Sequence, residues 1–222
     1  MDRCPMCVLA MVLALCRGIS WDQCPVRCSC DGTNVRCVGQ GMRTIPLSLT
    51  DATVLNFSKN LLASLPEDGF KGCRNLSELD LSENNLSSVH NGAFKGVPNL
   101  EKLYLRLNKL SSIQDGTFYG LQNLQMLDLS FNGVSNISRA AFSGLSRLRL
   151  LQLNGNDLEI IEDGAFEGMP SLDELKLNIN RLHNISRAAF RGLTLLRNLD
   201  LSNNYLESID DGLFEGVPDI NY

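Results

Sequence analysis

The segment Leu76–Leu86, LSELDLSENNL, decides the fold, because its pattern L-x-x-L-x-L-x-x-N-x-L returns along the chain. Leu196–Leu206, LRNLDLSNNYL, repeats the pattern in full. Seven units keep a strict spacing of 24 residues without a gap, which is typical of a repeat protein. Three columns carry this register: Asn60, Asn84, Asn108, Asn132, Asn156, Asn180 and Asn204; Phe70, Phe94, Phe118, Phe142, Phe166, Phe190 and Phe214; Gly72, Gly96, Gly120, Gly144, Gly168, Gly192 and Gly216.

Each unit is predicted to contain one short strand. In L-x-L the apolar residues alternate, so one face of the strand is buried and the other is open. All units run in the same direction, so the stacked strands form a parallel sheet and the core grows along one dimension. The asparagine of each unit points into that core, where backbone groups of adjacent turns can satisfy its amide as a ladder. The phenylalanines are predicted to form a second buried stripe.

The string NISRAAF occurs twice, at Asn136–Phe142 and Asn184–Phe190. Both copies fill the same slot, in the fourth and sixth units, and the fifth unit has IIEDGAF there. We infer that a block of two units was duplicated.

The repeat resembles the extracellular leucine-rich repeat family, and the resemblance covers the chain from about Cys24 to its end. It implies an α/β-type leucine-rich repeat solenoid, a curved right-handed coil with a parallel β-sheet on its concave face. We expect residues 1–20 to be a signal peptide, 21–51 a cysteine-rich cap, 52–219 the seven repeats and 220–222 the start of an incomplete eighth repeat. The family usually closes with a second cysteine-bearing cap, so we expect this chain to be truncated at its C-terminus.

The N-terminal segment has the pattern of a secretory signal. Val8–Cys16, VLAMVLALC, is an apolar run too short to span a bilayer, and small residues precede a cleavage site after Ser20. The alternative is a buried N-terminal helix. No later segment reaches 18 apolar residues, so no membrane span is expected in this chain. The predicted location is therefore the extracellular space or matrix.

Four cysteines crowd into Cys24–Cys37, with the spacing C-x3-C-x-C-x6-C. In a secreted chain they indicate two disulfides, and a zinc site is the alternative. Followed by leucine-rich repeats, the spacing resembles the N-terminal cap of Slit, variable lymphocyte receptors and small leucine-rich proteoglycans of the decorin and biglycan class. That resemblance implies the pairs Cys24–Cys30 and Cys28–Cys37. Cys73 fills a buried apolar slot, either as a small core residue or as an intermolecular disulfide.

The strand residues at positions 2, 3, 5, 7 and 8 of the pattern are expected to face solvent on the concave side. They vary freely between units, and those of the third to fifth units include apolar and arginine side chains. Such a composition resembles a protein interface, although single exposed apolar residues are also ordinary. The predicted ligand-binding residues are Tyr104, Arg106, Leu107, Met126, Asp128, Phe131, Leu150 and Gln152.

Composition and motifs exclude several classes of function. The net charge of −5 and the lack of a Lys/Arg run argue against nucleic-acid binding. The only histidines, His90 and His183, occupy non-equivalent slots, and no catalytic motif is present, so we expect no enzyme, no cofactor and no metal. The expected partner is an extracellular protein such as collagen, a growth factor or a receptor.

Three kinds of extracellular protein remain open, and fold analogy alone does not choose among them. The first is a secreted matrix or adhesion/signalling protein, and the second is the ectodomain of a membrane receptor of the innate-immune or guidance type. The third is a secreted inhibitor or decoy. A homodimer through the concave face is also open. Five N-x-[ST] sequons make a glycoprotein the expectation: Asn56, Asn75, Asn85, Asn136 and Asn184.

Overall fold

The structure is a computed structural model that describes residues 24–46, 49, 51–210, 212–215, 217 and 220. The expected signal peptide, residues 1–20, lies outside the described residues. The strands are β1 (Ser29–Asp31), β2 (Asn34–Arg36), β3 (Val54–Asn56), β4 (Ser64–Leu65), β5 (Glu78–Asp80), β6 (Ser88–Val89), β7 (Lys102–Tyr104), β8 (Ser112–Ile113), β9 (Met126–Asp128), β10 (Asn136–Ile137), β11 (Leu150–Gln152), β12 (Ile160–Ile161), β13 (Glu174–Lys176), β14 (Asn184–Ile185) and β15 (Asn198–Asp200).

One strand from every unit joins a single nine-stranded sheet, in the order β1-β2-β3-β5-β7-β9-β11-β13-β15. All neighbours are parallel except β1 and β2, which form an antiparallel hairpin. Equivalent residues pair, so that Leu79, Leu103 and Leu127 lie side by side as the buried centres of their strands. The predicted solenoid and parallel sheet are confirmed. Within the described residues the return segments consist of turns and two-residue strands, with no helical residue.

The phenylalanine column forms the second buried stripe, as predicted. Six of the seven rings are at most 1% exposed, and successive rings lie nearly parallel with centroids 5.9–6.3 Å apart. Neighbouring strands of a sheet lie about 4.8 Å apart. Because the ring side of each unit advances further than the strand side, the solenoid curves with its sheet on the concave face.

The asparagine ladder joins each unit to the one before it. Asn156 donates through Nδ2 to the carbonyl oxygens of Leu153 (2.9 Å) in its own unit and Leu129 (3.1 Å) in the preceding unit. Its Oδ1 accepts from the backbone N–H of Val134 at 3.0 Å. The ladder prediction is confirmed, since the same three bonds are made by Asn84, Asn108, Asn132, Asn180 and Asn204.

The cysteine-rich segment caps the first unit. The disulfides are Cys24–Cys30 and Cys28–Cys37, as the resemblance implied, so the zinc alternative is wrong. Strand β2 pairs with β3 and so covers the edge that the first repeat would otherwise leave open. Asn60 extends the ladder into the cap, where its Oδ1 accepts from the N–H groups of Gln40 and Met42. The remaining described cysteine, Cys73, is free and buried, and burial raises the pKa of its thiol.

Contacts between return segments explain why NISRAAF occurs in alternate units. At one kind of junction an aspartate accepts from the alanine N–H of the next unit, as Asp163 does from Ala188 at 3.1 Å. At the other kind the arginine lies over a glycine of the next unit and pairs with its glutamate, as Arg139 does with Glu167 at 3.4 Å. A Cβ at Gly164 would lie 3.2 Å from Arg139 Nε. The two kinds of junction alternate from the third unit to the seventh.

Candidate protein-binding site on the concave face

All eight residues predicted to bind a ligand lie together on three adjacent strands or in the turns that follow them. The strands β7, β9 and β11 carry Tyr104, Met126, Asp128, Leu150 and Gln152. The turns after β7 and β9 carry the other three, which are Arg106, Leu107 and Phe131. We call this set of eight residues the central patch.

Position 8 of every unit has a left-handed backbone. Its φ is between 52° and 69° in all seven units. Glycine and asparagine adopt this conformation at least cost, and Gly155 and Asn203 meet that preference. Leu107, Phe131 and Ile179 adopt the same conformation although it is costly for a residue with a large side chain. These three residues are 42%, 38% and 48% exposed. The cost of about 1–2 kcal/mol for each apolar residue is therefore not offset by burial in the core.

Neighbouring units support the ring of Phe131. The guanidinium carbon of Arg106 lies 4.9 Å from the ring centroid, within the range of a cation–π contact. On the next unit, a Cβ added at Gly155 would lie 2.7 Å from Cδ1 of the ring, so the glycine leaves room for the ring in this position. The ring is thus held in place while more than a third of the residue stays exposed.

Tyr104 is half-buried and lies among carboxylates. Its in-register neighbour on one side is Asp80 and on the other is Asp128. The pKa of its phenol is raised above the ordinary value, first by burial and then by the negative charges of Glu78, Asp80 and Asp128, against an opposing effect of Lys102. The phenol is protonated at neutral pH, as in any ordinary tyrosine, and the raised pKa keeps this hydrogen-bond donor to a higher pH.

The concave lysines are already paired across or along strands. The Nζ–carboxylate distances are 3.6 Å for Lys59–Glu83, 3.2 Å for Lys102–Glu78 and 3.1 Å for Lys176–Glu174. The hydrogen bond to Glu78 raises the pKa of Lys102. Such exposed pairs add little stability. Their consequence is that these basic groups do not neutralise the other concave carboxylates.

Two expectations about the concave face were wrong. Asp128 points to the concave side but is not open as expected, since it is only 6% exposed: Ser130 bonds its Oδ1, and Tyr104 and Gln152 flank it in register. Position 7 is also not uniformly open, since Ser58 and Ser130 are 7% and 2% exposed. Both serines turn back to hydrogen-bond the side chain two residues earlier.

Sequence reasoning missed two features. Ile179 has the same exposed left-handed conformation as Leu107 and Phe131, and its place in position 8 was the available signal. A cavity of about 1050 Å³ also opens on the flank beside β14, lined by Arg187, Arg191, Ile209 and other residues of the sixth and seventh units. It lies where β14 pairs with β12 but with no described strand of the seventh unit.

The sequons differ in accessibility. Asn136 and Asn184 are exposed, and they lie on the flank strands β10 and β14. Asn75 is also exposed. Asn85 and Asn56 are half-buried, and Asn56 lies on the concave strand β3 with its Oδ1 bonded by Ser58.

We expect at least two of the five sequons to carry glycans when the chain is made in a mammalian secretory host, with Asn136 and Asn184 among them because both are exposed. Intact mass before and after glycosidase treatment measures this. The variants Ser138→Ala and Ser186→Ala should each remove one glycan. A mass that glycosidase leaves unchanged would contradict the expectation.

The described residues hold no group of three or more His, Cys, Asp or Glu side chains arranged to bind a metal ion. Over the same residues, no helix is long and apolar enough to cross a membrane.

The chain belongs to the leucine-rich repeat family. The family described as "Leucine rich repeat" matches residues 50–110, 98–158 and 157–206, which is well over half of the chain. A crystal structure of a TLR13–ssRNA13 complex contains a chain with a TM-score of 0.73 and 31% identity, and the match covers 78% of this chain and 24% of that one.

Three curated proteins are similar over shorter stretches. Peroxidasin homolog pxn-2 of Caenorhabditis elegans is 43% identical over 58 residues, 26% of this chain and 4% of that protein. Leucine-rich repeat-containing G-protein coupled receptor 4 of Bos taurus is 39% identical over 79 residues, which cover 33% of this chain and 8% of that protein. Relaxin receptor 2 of Canis lupus familiaris is 30% identical over 67 residues, which cover 30% of this chain and 9% of that protein. The matches span less than a tenth of each relative's length.

Proposed function

We propose that this chain is a non-enzymatic extracellular interaction module that binds a protein partner on its concave face, at the central patch. The observation that carries the proposal is the placement of Leu107 and Phe131. Both are apolar, exposed and held in a backbone conformation that disfavours them, so neither is explained by folding stability. Exposed apolar anchors beside an arginine are the usual centre of a protein interface.

The charge of the face favours a protein over a nucleic acid. The structural neighbour comes from a complex with single-stranded RNA, but that describes the other protein. At the concave positions here, Asp80, Glu101 and Asp128 have no ion pair with any described residue. The concave positions of the seven units hold eight carboxylates against six basic side chains, which are Lys59, Lys102, Arg106, Arg149, Lys176 and Arg197. A polyanion would therefore meet a surface of net negative charge.

The proposed location is extracellular. Two disulfides in a short N-terminal segment fit an oxidising compartment. Within that location we favour a secreted matrix or adhesion/signalling protein, and the receptor ectodomain is the second candidate because two of the similar curated proteins are receptors.

The test is to screen secreted proteins and cell-surface ectodomains for binding, and then to measure the affinity of the best binder by surface plasmon resonance. The double variant Tyr104→Ala, Phe131→Ala should weaken binding more than about tenfold, because hot-spot side chains each contribute more than about 1 kcal/mol. The melting temperature should stay within a few degrees, since both side chains are partly exposed.

The matched control is Tyr119→Ala. Tyr119 is 63% exposed and lies in the return segment of the third unit, away from the concave strands. Its loss should leave the affinity unchanged. Equal affinities for the double variant and the parent chain would contradict the central patch as the binding site.

A further inference from the structure

Asp128 is an enclosed carboxylate without a counter-ion among the described residues. It is 6% exposed, and its Oδ1 accepts from the Ser130 N–H at 2.9 Å and from the Ser130 hydroxyl at 2.6 Å. No described residue donates to its Oδ2. The fully enclosed side-chain oxygens without a partner belong to Asn34, Asp173 and Asn178, so Oδ2 of Asp128 keeps contact with solvent.

That open oxygen faces the concave side. The flanking residues Leu127 and Leu129 are fully buried in the core, so the side chain of Asp128 points the opposite way. Its in-register neighbours are Tyr104 on β7 and Gln152 on β11. The carboxylate is thus more enclosed than the half-buried Tyr104 and Gln152 on either side, and we call the place between these two residues the recess.

The hydrogen bonds to serine do not by themselves make a site. Asp200 makes the same two bonds to Ser202, yet it is not buried and its in-register neighbour on β13 is Lys176. Asp128 differs by its burial and by the ring beside it. A buried charge is costly unless it is paired, and two bonds from a neutral serine leave that charge uncompensated.

We propose that this recess is a subsite for one arginine side chain of a protein partner, whose guanidinium pairs with Oδ2 of Asp128 against the ring of Tyr104. The proposal rests on the proposed function and names the chemistry of the partner. A guanidinium fits because it forms charge-assisted bonds to a carboxylate and stacks on an aromatic face. The amide oxygen of Gln152 offers it a second acceptor. Met126, Leu150 and Phe131 would receive the apolar residues next to that arginine.

The probe is Nα-benzoyl-arginine amide, with the uncharged isostere Nα-benzoyl-citrulline amide as its comparison. Both are titrated into the isotope-labelled chain while backbone amide shifts are followed by nuclear magnetic resonance. The arginine probe should shift the amides of Tyr104, Asp128 and Gln152 in a saturable manner. The citrulline probe should bind these residues about fivefold more weakly or not at all, because it lacks the charge.

Two variants test the recess itself. Asp128→Asn keeps an oxygen for Ser130 but removes the charge, and should weaken the arginine probe about fivefold or more. The control Asp200→Asn, which has the same local bonds, should have no effect. Gln152→Lys should also abolish probe binding, because it places a fixed cation beside Asp128. Lysine is accommodated in this slot, as Lys176 shows one unit on.

Equal binding of the two probes, an unchanged affinity in Asp128→Asn, or shifts confined to another part of the chain would overturn the subsite. Should Asp128→Asn fail to fold, Gln152→Lys alone decides the question. These outcomes are separate from failure of the proposed function. A partner whose binding depends on Phe131 but not on Asp128 would leave the interaction module in place and remove only the arginine subsite.

Discussion

Replacing Phe142 by alanine should lower the free energy of unfolding by about 3–5 kcal/mol, the usual cost of removing a buried phenylalanine side chain. Phe142 is fully buried in the middle of the ring column, with neighbouring rings 6.0 and 6.2 Å away. The truncation leaves a cavity that the two flanking units cannot fill, because the strands on the other side fix their spacing. Urea unfolding followed by circular dichroism measures the change.

The control is Phe142→Leu, which keeps most of the apolar volume and should cost well under half as much. In a repeat protein the damage passes mainly through nearest neighbours. Amide hydrogen exchange should therefore increase first in the fourth unit and the two units next to it. A loss of stability below about 1 kcal/mol for Phe142→Ala would show that the ring column is not what holds the outer side together.

Replacing Asn156 by leucine should cost about 3 kcal/mol, although the side chain is nearly the same size. The carbonyl oxygens of Leu129 and Leu153 each keep one ladder bond, from Asn132 and from Asn180. The buried N–H of Val134 loses its acceptor outright. One orphaned donor costs about 1–3 kcal/mol, and each weakened carbonyl adds a smaller amount. In a chain of this length the melting temperature should fall by about 6–12 °C.

Asn154→Leu is the matched control for the ladder. Asn154 lies two residues earlier on the concave side, and its side chain makes no hydrogen bond with any described residue. Its replacement should change the melting temperature by no more than a degree or two. Similar losses in the two variants would mean that leucine is harmful anywhere in this turn and that the ladder bonds are not the cause.

Much of the fold could be predicted because the regular 24-residue spacing shows which residues occupy equivalent positions in successive units. Leu79, Leu103 and Leu127 are equivalent in sequence, and stacking equivalent residues is the only way to bury them all. The ladder followed from the need to satisfy a buried amide at Asn156 and its equivalents. The disulfides were predicted for a different reason, since spacing alone allows three pairings and the resemblance selected one.

The candidate site was predicted less completely. Its residues were selected because they differ between units at positions next to the constant leucines and asparagines. Such differences do not indicate how deeply a side chain is buried. Asp128 is enclosed by Tyr104 and Gln152, which are 24 residues away on either side in the sequence (128 − 104 and 152 − 128). The described flank strands pair only two by two, and the cavity opens at one of the junctions without such a pair, between the sixth and seventh units, which the 24-residue repeat does not predict.

The alternating junctions give the third to seventh units a period of two units, 48 residues (184 − 136), although the backbone repeats every 24. Arg139 needs a glycine and a glutamate on the following unit, while Asp163 needs an alanine N–H there. Removing one unit from this region would bring two surfaces of the same kind together and leave both without their partners. The array resembles a crystal whose unit cell holds two molecules. Its length can therefore change without mismatched junctions only by two units at a time.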